Sequence, residues 1–164
     1  MRLCGKMVDK MLPQFMGTVR IQTAIMGLTL AFKEKYGEEA LDVAKAYVEG
    51  MGMMIGWQLK QEGGITGSDV SAIERVYHAW LDPAYAPNRP DIQVNDNEVF
   101  VTRKSPMLCP AMVASKQMNL SLDLVCETVA IPMFRGVAKS VNKDAVHTST
   151  RGQQKCIDKL QIPK

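Results

Sequence analysis

The feature that most constrains this chain is a single change of hydrophobic period near residue 90. Before it, apolar residues recur every three or four positions; from Ile92 to Val101 they recur every second position. Spacings of three and four place side chains on one face of a helix, and a spacing of two places them on one face of a strand. A chain that changes period once, and then carries further helical stretches, has to pack helices on one side of a small sheet. The pattern therefore predicts an α+β domain: a helical N-terminal half packed on a small antiparallel sheet, with one or two further helices, over 1–164 as a single domain.

In the helical half, Ile21, Ile25, Leu28 and Phe32 follow spacings of four, three and four and predict one face of a helix from about Thr18 to Lys35. Gly37 interrupts, and Glu38-Glu39 open a second helix at the end of the dipole that favours acids. Leu41, Ala44, Val48, Met51 and Ile55 share its face to about Lys60. Gly50 and Gly52 stand in its middle, each costing about 1 kcal/mol relative to alanine, which fits packing around small residues or close approach by a ligand or another helix. Thr66-Gly67-Ser68-Asp69 is a cap-rich start to a third helix carrying Val70, Ile73, Val76, Tyr77 and Trp80. That helix is expected to stop before Pro83, leaving a loop from Asp82 to Pro90 with Pro83, Pro87 and Pro90.

Beyond the change of period, Ile92 and Val94, the turn Asn95-Asp96-Asn97, and Val99 with Val101 predict a hairpin. Helical stretches follow at about Cys109 to Met118 and Leu122 to Val141, the second kinked or split at Pro132. A final hairpin pairs Ala145–Thr150 with Cys156–Ile162 through Arg151-Gly152-Gln153-Gln154.

Composition narrows the function classes. Twenty Lys+Arg against seventeen Asp+Glu leave a net charge of +3. The basic residues, Arg103-Lys104 and Lys139/Lys143 among them, are scattered without interleaved aromatics, so no nucleic-acid partner is expected. The longest nearly apolar run, Ala24 to Phe32, has nine residues where a span needs roughly 20, so no membrane partner is expected. Asp9 and Lys10 fall where a secretory signal needs an apolar stretch. The expected location is cytoplasmic, where thiols stay reduced and Cys4, Cys109, Cys126 and Cys156 are free thiols, metal ligands or catalysts rather than disulfides. Eight of the twelve methionines lie in the first 60 residues, suiting an adaptable core or ligand pocket, or a helix pair on which a homodimer forms.

Chemistry is sought first in the thiols. Cys109, Cys126 and Cys156 are separated by 16 and 29 residues, so none forms a C-x-x-C knuckle. They stand as small buried residues, as a set holding a nucleophile, or as a zinc site with His147 as fourth ligand. Cys109 precedes Pro110 at a helix start, where the dipole lowers a thiol pKa. His147, in the strand leading to Cys156, is placed to act as general acid–base if that hairpin converges on Cys109; His78 reads as a helix-face residue. The chain has no dinucleotide-binding glycine fingerprint, Walker A sequence, nucleophile elbow or H-E-x-x-H.

A resemblance extends this reading. A valine-rich strand leads through Lys104-Ser105-Pro106 to Cys109-Pro110. Cys126-Glu127, Asn142, Thr148-Ser149-Thr150-Arg151-Gly152 and a G-x-x-x-C ending at Cys156 follow, with Phe32-Lys33-Glu34-Lys35-Tyr36-Gly37-Glu38-Glu39-Ala40 upstream. Together these resemble the L-2-amino-thiazoline-4-carboxylic acid hydrolase family. The resemblance implies opening of a cyclic amidine or isothiourea ring to a carbamoyl-cysteine. Cys109, His147 and Cys156 would be catalytic, with Asn142, Arg151 and Cys126 against a small-molecule substrate and zinc held by Cys109, Cys126 and Cys156 if a metal takes part. Gln153-Gln154 stands where an acidic pair is frequent, and Ala111-Met112-Val113 where a tryptophan is common. The chain is also similar to vinyl-reductase-type domains, which implies a non-catalytic small-molecule- or metal-binding module.

Overall fold

The structure, a computed structural model, describes residues 13–85, 89–104, 109–152 and 155–163. The expectations about Cys4 and the first ten residues, Pro87, Ser105-Pro106 and Gln153-Gln154 lie outside them. Three helices come first: α1 (Pro13–Tyr36), α2 (Glu39–Glu62) and α3 (Val70–Tyr85). Strands β1 (Asp91–Asn95) and β2 (Glu98–Lys104) follow, then α4 (Pro110–Met118), α5 (Leu122–Val125), a π-helical turn (Cys126–Ala130) and α6 (Ile131–Val141). The chain ends with β3 (Val146–Arg151) and β4 (Lys155–Gln161). The sheet is antiparallel in the order β1-β2-β4-β3, so the α+β architecture with a helical N-terminal half stands.

One local expectation, the end of α3, needs correction, and two others gain detail. The α1 stripe faces outward: Ile21, Leu28 and Phe32 are at least half exposed, and the helix packs instead through Phe15, Val19, Gln22, Met26 and Thr29. Period identifies a shared face but not which side meets water. By length and composition α1 would also suffice to cross a membrane, with 28% of its most apolar window buried. Pro83 does not end α3, which runs through it to Tyr85 because buried Leu81, Ala84 and Tyr85 hold the last turn. The Leu122–Val141 rod is split next to Pro132, as expected, into α5, the π-helical turn and α6. The turn before that proline widens, with the Ile131 amide donating to the Cys126 carbonyl five residues back, and helix resumes.

Small residues set the closest approach in the molecule. A Cβ added at Gly52 would overlap the Met133 carbonyl, and one at Gly136 would overlap the Glu49 carbonyl. Glycine at these positions brings α2 and α6 into backbone contact. Glu49 then ties the seam, accepting from Lys139 Nζ at 2.6 Å and Arg135 at 3.3 Å. Asp69 caps α3 through the Ala72 amide at 2.9 Å, as its sequence position predicts.

Candidate functional site

The sheet's inner face follows from its register. Alternation turns Val99, Val101 and Arg103 of β2 to the same side as Cys156, Asp158 and Leu160 of β4 and His147, Ser149 and Arg151 of β3. Pairing orders them into three rows: Val99–Leu160–His147, Val101–Asp158–Ser149 and Arg103–Cys156–Arg151. The first row is closed beneath α3 and α6. The last opens into a cavity of about 400 Å³.

That cavity has an apolar roof from the helices, including Met51, Ile55, Trp80, Met133 and Phe134, and a polar floor from the sheet. Cys109, Cys126 and Cys156 all line it, with Arg103, Arg151 and Asp158; Lys104, Lys116 and Lys155 stand exposed along its rim. The fold thus gathers on one cavity three thiols that are scattered in sequence.

Their ionisation differs from the helix-start expectation. Cys109 does cap α4, its Sγ accepting from the Met112 amide at 3.3 Å. Burial nevertheless raises its pKa, outweighing that hydrogen bond and the nearby Arg103 charge. Burial likewise pushes the Cys126 thiol up to about 11, with the Cys109 thiol adding to the rise. Both are therefore neutral thiols at pH 7, and Cys109 is no dipole-activated thiolate.

His147 and Asn142 do not reach the cavity. His147 is buried at the closed row, where its Nε2 meets Asp158 Oδ1 at 3.0 Å and its ring stacks on Phe134 at 5.9 Å. Its Nδ1 has no hydrogen-bond partner among the described residues. The parity of β3 turns His147 inward, but four residues before Arg151, at the far end of the sheet. His147 therefore meets the cavity only through Asp158 and does not line it beside Cys109. Asn142 ends α6, where its amide donates to the Ser68 carbonyl and accepts from the Asp144 amide, both at 2.9 Å. Its role is to fasten a turn. His78 lies beside Asp82 on α3, as a helix-face residue should.

Arg151 does line the cavity. Its guanidinium also reaches out to Asp123 at 3.0 Å and Glu127 at 3.2 Å, both exposed carboxylates. The zinc expectation fails on geometry: among the described residues no three His, Cys, Asp or Glu side chains gather as a metal-ligand group. The three thiols stand around a cavity rather than at one point, and at least two would have to lose tightly held protons to bind a metal.

Sequence reasoning missed the ion pair between Arg103 and Asp158, both nearly buried. Arg103 also reaches the Tyr85 hydroxyl at 3.4 Å and lies 4.8 Å above the Phe134 ring. Burial works to lower the Arg103 pKa, but Tyr85 and Asp158 reverse it and the net shift is upward. Burial works to raise the Asp158 pKa, yet the His147 hydrogen bond and the Arg103 charge hold it below the ordinary carboxylate value. Tyr85 is pushed up to about 12, chiefly by burial. The signal was present in sequence: Arg103 and Asp158 each occupy a core-facing parity beside Val101 and Leu160.

No protein-family model matches the chain, and no curated protein matches it at a significant level.

Proposed function

We propose that this domain binds a small organic carboxylate with an apolar or heterocyclic body in the thiol-lined cavity. The observation that carries the reading is the row Arg103–Cys156–Arg151 lying under an apolar roof. An arginine fork recognises a carboxylate by two parallel hydrogen bonds. Arg103 is already committed to Asp158, so Arg151 is the free-ranging partner. Its contacts to exposed Asp123 and Glu127 are solvent-screened and weak enough to yield to a ligand anion. Trp80, Met133 and Phe134 would cover the ligand's body, and the rim lysines would favour its approach.

Hydrolysis is the second reading, favoured by the three thiols on one cavity and by the resemblance to the L-2-amino-thiazoline-4-carboxylic acid hydrolases. Such a substrate carries the required carboxylate on a small ring. Net reaction would add one water and release a carbamoyl-cysteine. Cys156, set by the sheet between two arginines, takes the nucleophile's place from Cys109, and with no histidine in the cavity the proton would pass through solvent.

The test is calorimetric titration with L-2-amino-thiazoline-4-carboxylate and its neutral carboxamide, with carbamoyl-cysteine followed by mass spectrometry in the same samples. Binding of the acid, loss of at least about 10-fold with the carboxamide and in Arg151→Ala, and no turnover would support the binding module. Turnover that disappears in Cys156→Ala would support the hydrolase. Equal affinity for acid and carboxamide, or full binding in Arg151→Ala, would overturn the carboxylate reading.

A further inference from the structure

Helix α2 carries a second constellation on the side turned away from the cavity. Val43, Ala46, Tyr47, Gly50, Met53, Met54 and Trp57 are all exposed and fall at helical spacing on one face, without a charge among them. Val43, Tyr47, Met54 and Trp57 are each more than 60% exposed. The stripe runs about 21 Å along the helix. Gly50 lies at its centre, and a Cβ added there would meet nothing within 4 Å. Unlike Gly52, then, no packing among the described residues accounts for Gly50, although it weakens the helix by about 1 kcal/mol.

We propose that this face binds a second copy of the chain, with the two α2 helices antiparallel and crossing at Gly50. The stripe is self-complementary about that residue. A two-fold axis there sets Val43 against the partner's Trp57 and Ala46 against its Met54, each pairing a small side chain with a large one, and Tyr47 against its Met53. Beyond the stripe, the same axis sets Glu39 against Gln61 and Asp42 against Gln58; the one like-charged pair it makes, Glu38 with Glu62, lies at the helix ends and off this face. This is the repeated-patch requirement of a closed dimer, and glycine at the crossing lets two backbones approach as Gly52 does inside the chain.

Area agrees. The exposed parts of Val43, Tyr47, Met53, Met54 and Trp57 amount to on the order of 700 Å², near the roughly 800 Å² per partner of a standard interface. A lipid surface fits less well: Asp42, Lys45, Glu49 and Glu62 beside the stripe carry both signs, where a helix lying on a membrane is rich in Lys and Arg.

The full chain, sedimented over a range of concentrations, should form a species of twice its 18.2 kDa. Trp57→Ala should weaken it by about 30-fold or more, Gly50→Leu should abolish it, and Val146→Lys, on an exposed strand position, should leave it intact. All three sites are exposed, and circular dichroism is to establish that each variant is folded. Register is read with Gly50→Cys under mild oxidant: it should cross-link with its own copy, as should a mixture of Val43→Cys and Trp57→Cys chains, beyond the background of the unchanged protein. A monomer up to about 100 μM, or a dimer indifferent to Trp57→Ala and Gly50→Leu, would overturn the proposal. So would a monomer that co-sediments with phosphatidylglycerol vesicles through Trp57, which would assign the face to a membrane.

Discussion

The two ends of the sheet's inner face are built by the same alternation and have opposite fates. At one end, Val99, Leu160 and His147 are closed in by α3 and α6. At the other, Arg103, Cys156 and Arg151 face a cavity. Asp158 stands between them, holding His147 with one oxygen and Arg103 with the other. Phe134 spans the same divide, stacked on His147 and lying under Arg103. The difference teaches that a strand's period places residues on a face, while the covering elements decide whether that face becomes core or site.

Substitutions along the rows sharpen this comparison. The largest effect is expected for Asp158→Asn, which leaves a buried guanidinium without its counter-charge. It should cost about 3–5 kcal/mol, read as a drop in Tm on the order of 10 °C. The same variant tests acid sensitivity. Because the folded Asp158 pKa is depressed, its stabilisation is present above the unfolded carboxylate pKa of about 4 and is lost as pH falls through the folded value. Asp158→Asn should remove that part of the acid transition, seen in denaturant midpoints as pH falls below the unfolded carboxylate value.

Next comes the closed end. Leu160→Ala should cost about 3 kcal/mol through a buried cavity, measured by urea unfolding, while leaving carboxylate binding unchanged. A comparable loss of binding would break the division between core and site. Alkaline stability follows. With its pKa raised from about 9 to about 11 in the fold, Cys126 stabilises the protein fully below the unfolded value and loses that contribution as pH rises through the folded one. The effect is roughly 2–3 kcal/mol between about pH 9 and 11, and Cys126→Ala should flatten that limb of the stability profile. The smallest stability effect belongs to the open end. Arg151→Ala removes only screened pairs and should cost under about 1 kcal/mol, although it should be the most damaging of these to ligand affinity. A large Tm loss there would mark Arg151 as structural.

Much of the architecture was legible because period is local. The hairpin around Asn95-Asp96-Asn97, the Asp69 cap and the final strands all depend on residues within a few positions of one another. The outward stripe of α1 was not legible, since Ile21, Leu28 and Phe32 mark a common face whichever way it turns. The cavity thiols were recognised as candidates, but their meeting depends on β4 inserting between β2 and β3. Cys109 shows how a correct local reading can mislead: it caps its helix as expected, yet desolvation outweighs the dipole, and desolvation is set by distant residues.

The sequence by itself determined the elements, the α+β class and the inward parity of Arg103, His147, Arg151, Cys156 and Asp158, because strand and helix geometry fix which side chains share a face. Only the tertiary structure decided that Arg103 meets Asp158, that His147 is sealed away while Arg151 reaches the cavity, and that Gly52 is buried while Gly50 is bare. Those outcomes rest on strand register and on which helices cover each surface, and both are fixed by contacts between residues far apart in the chain.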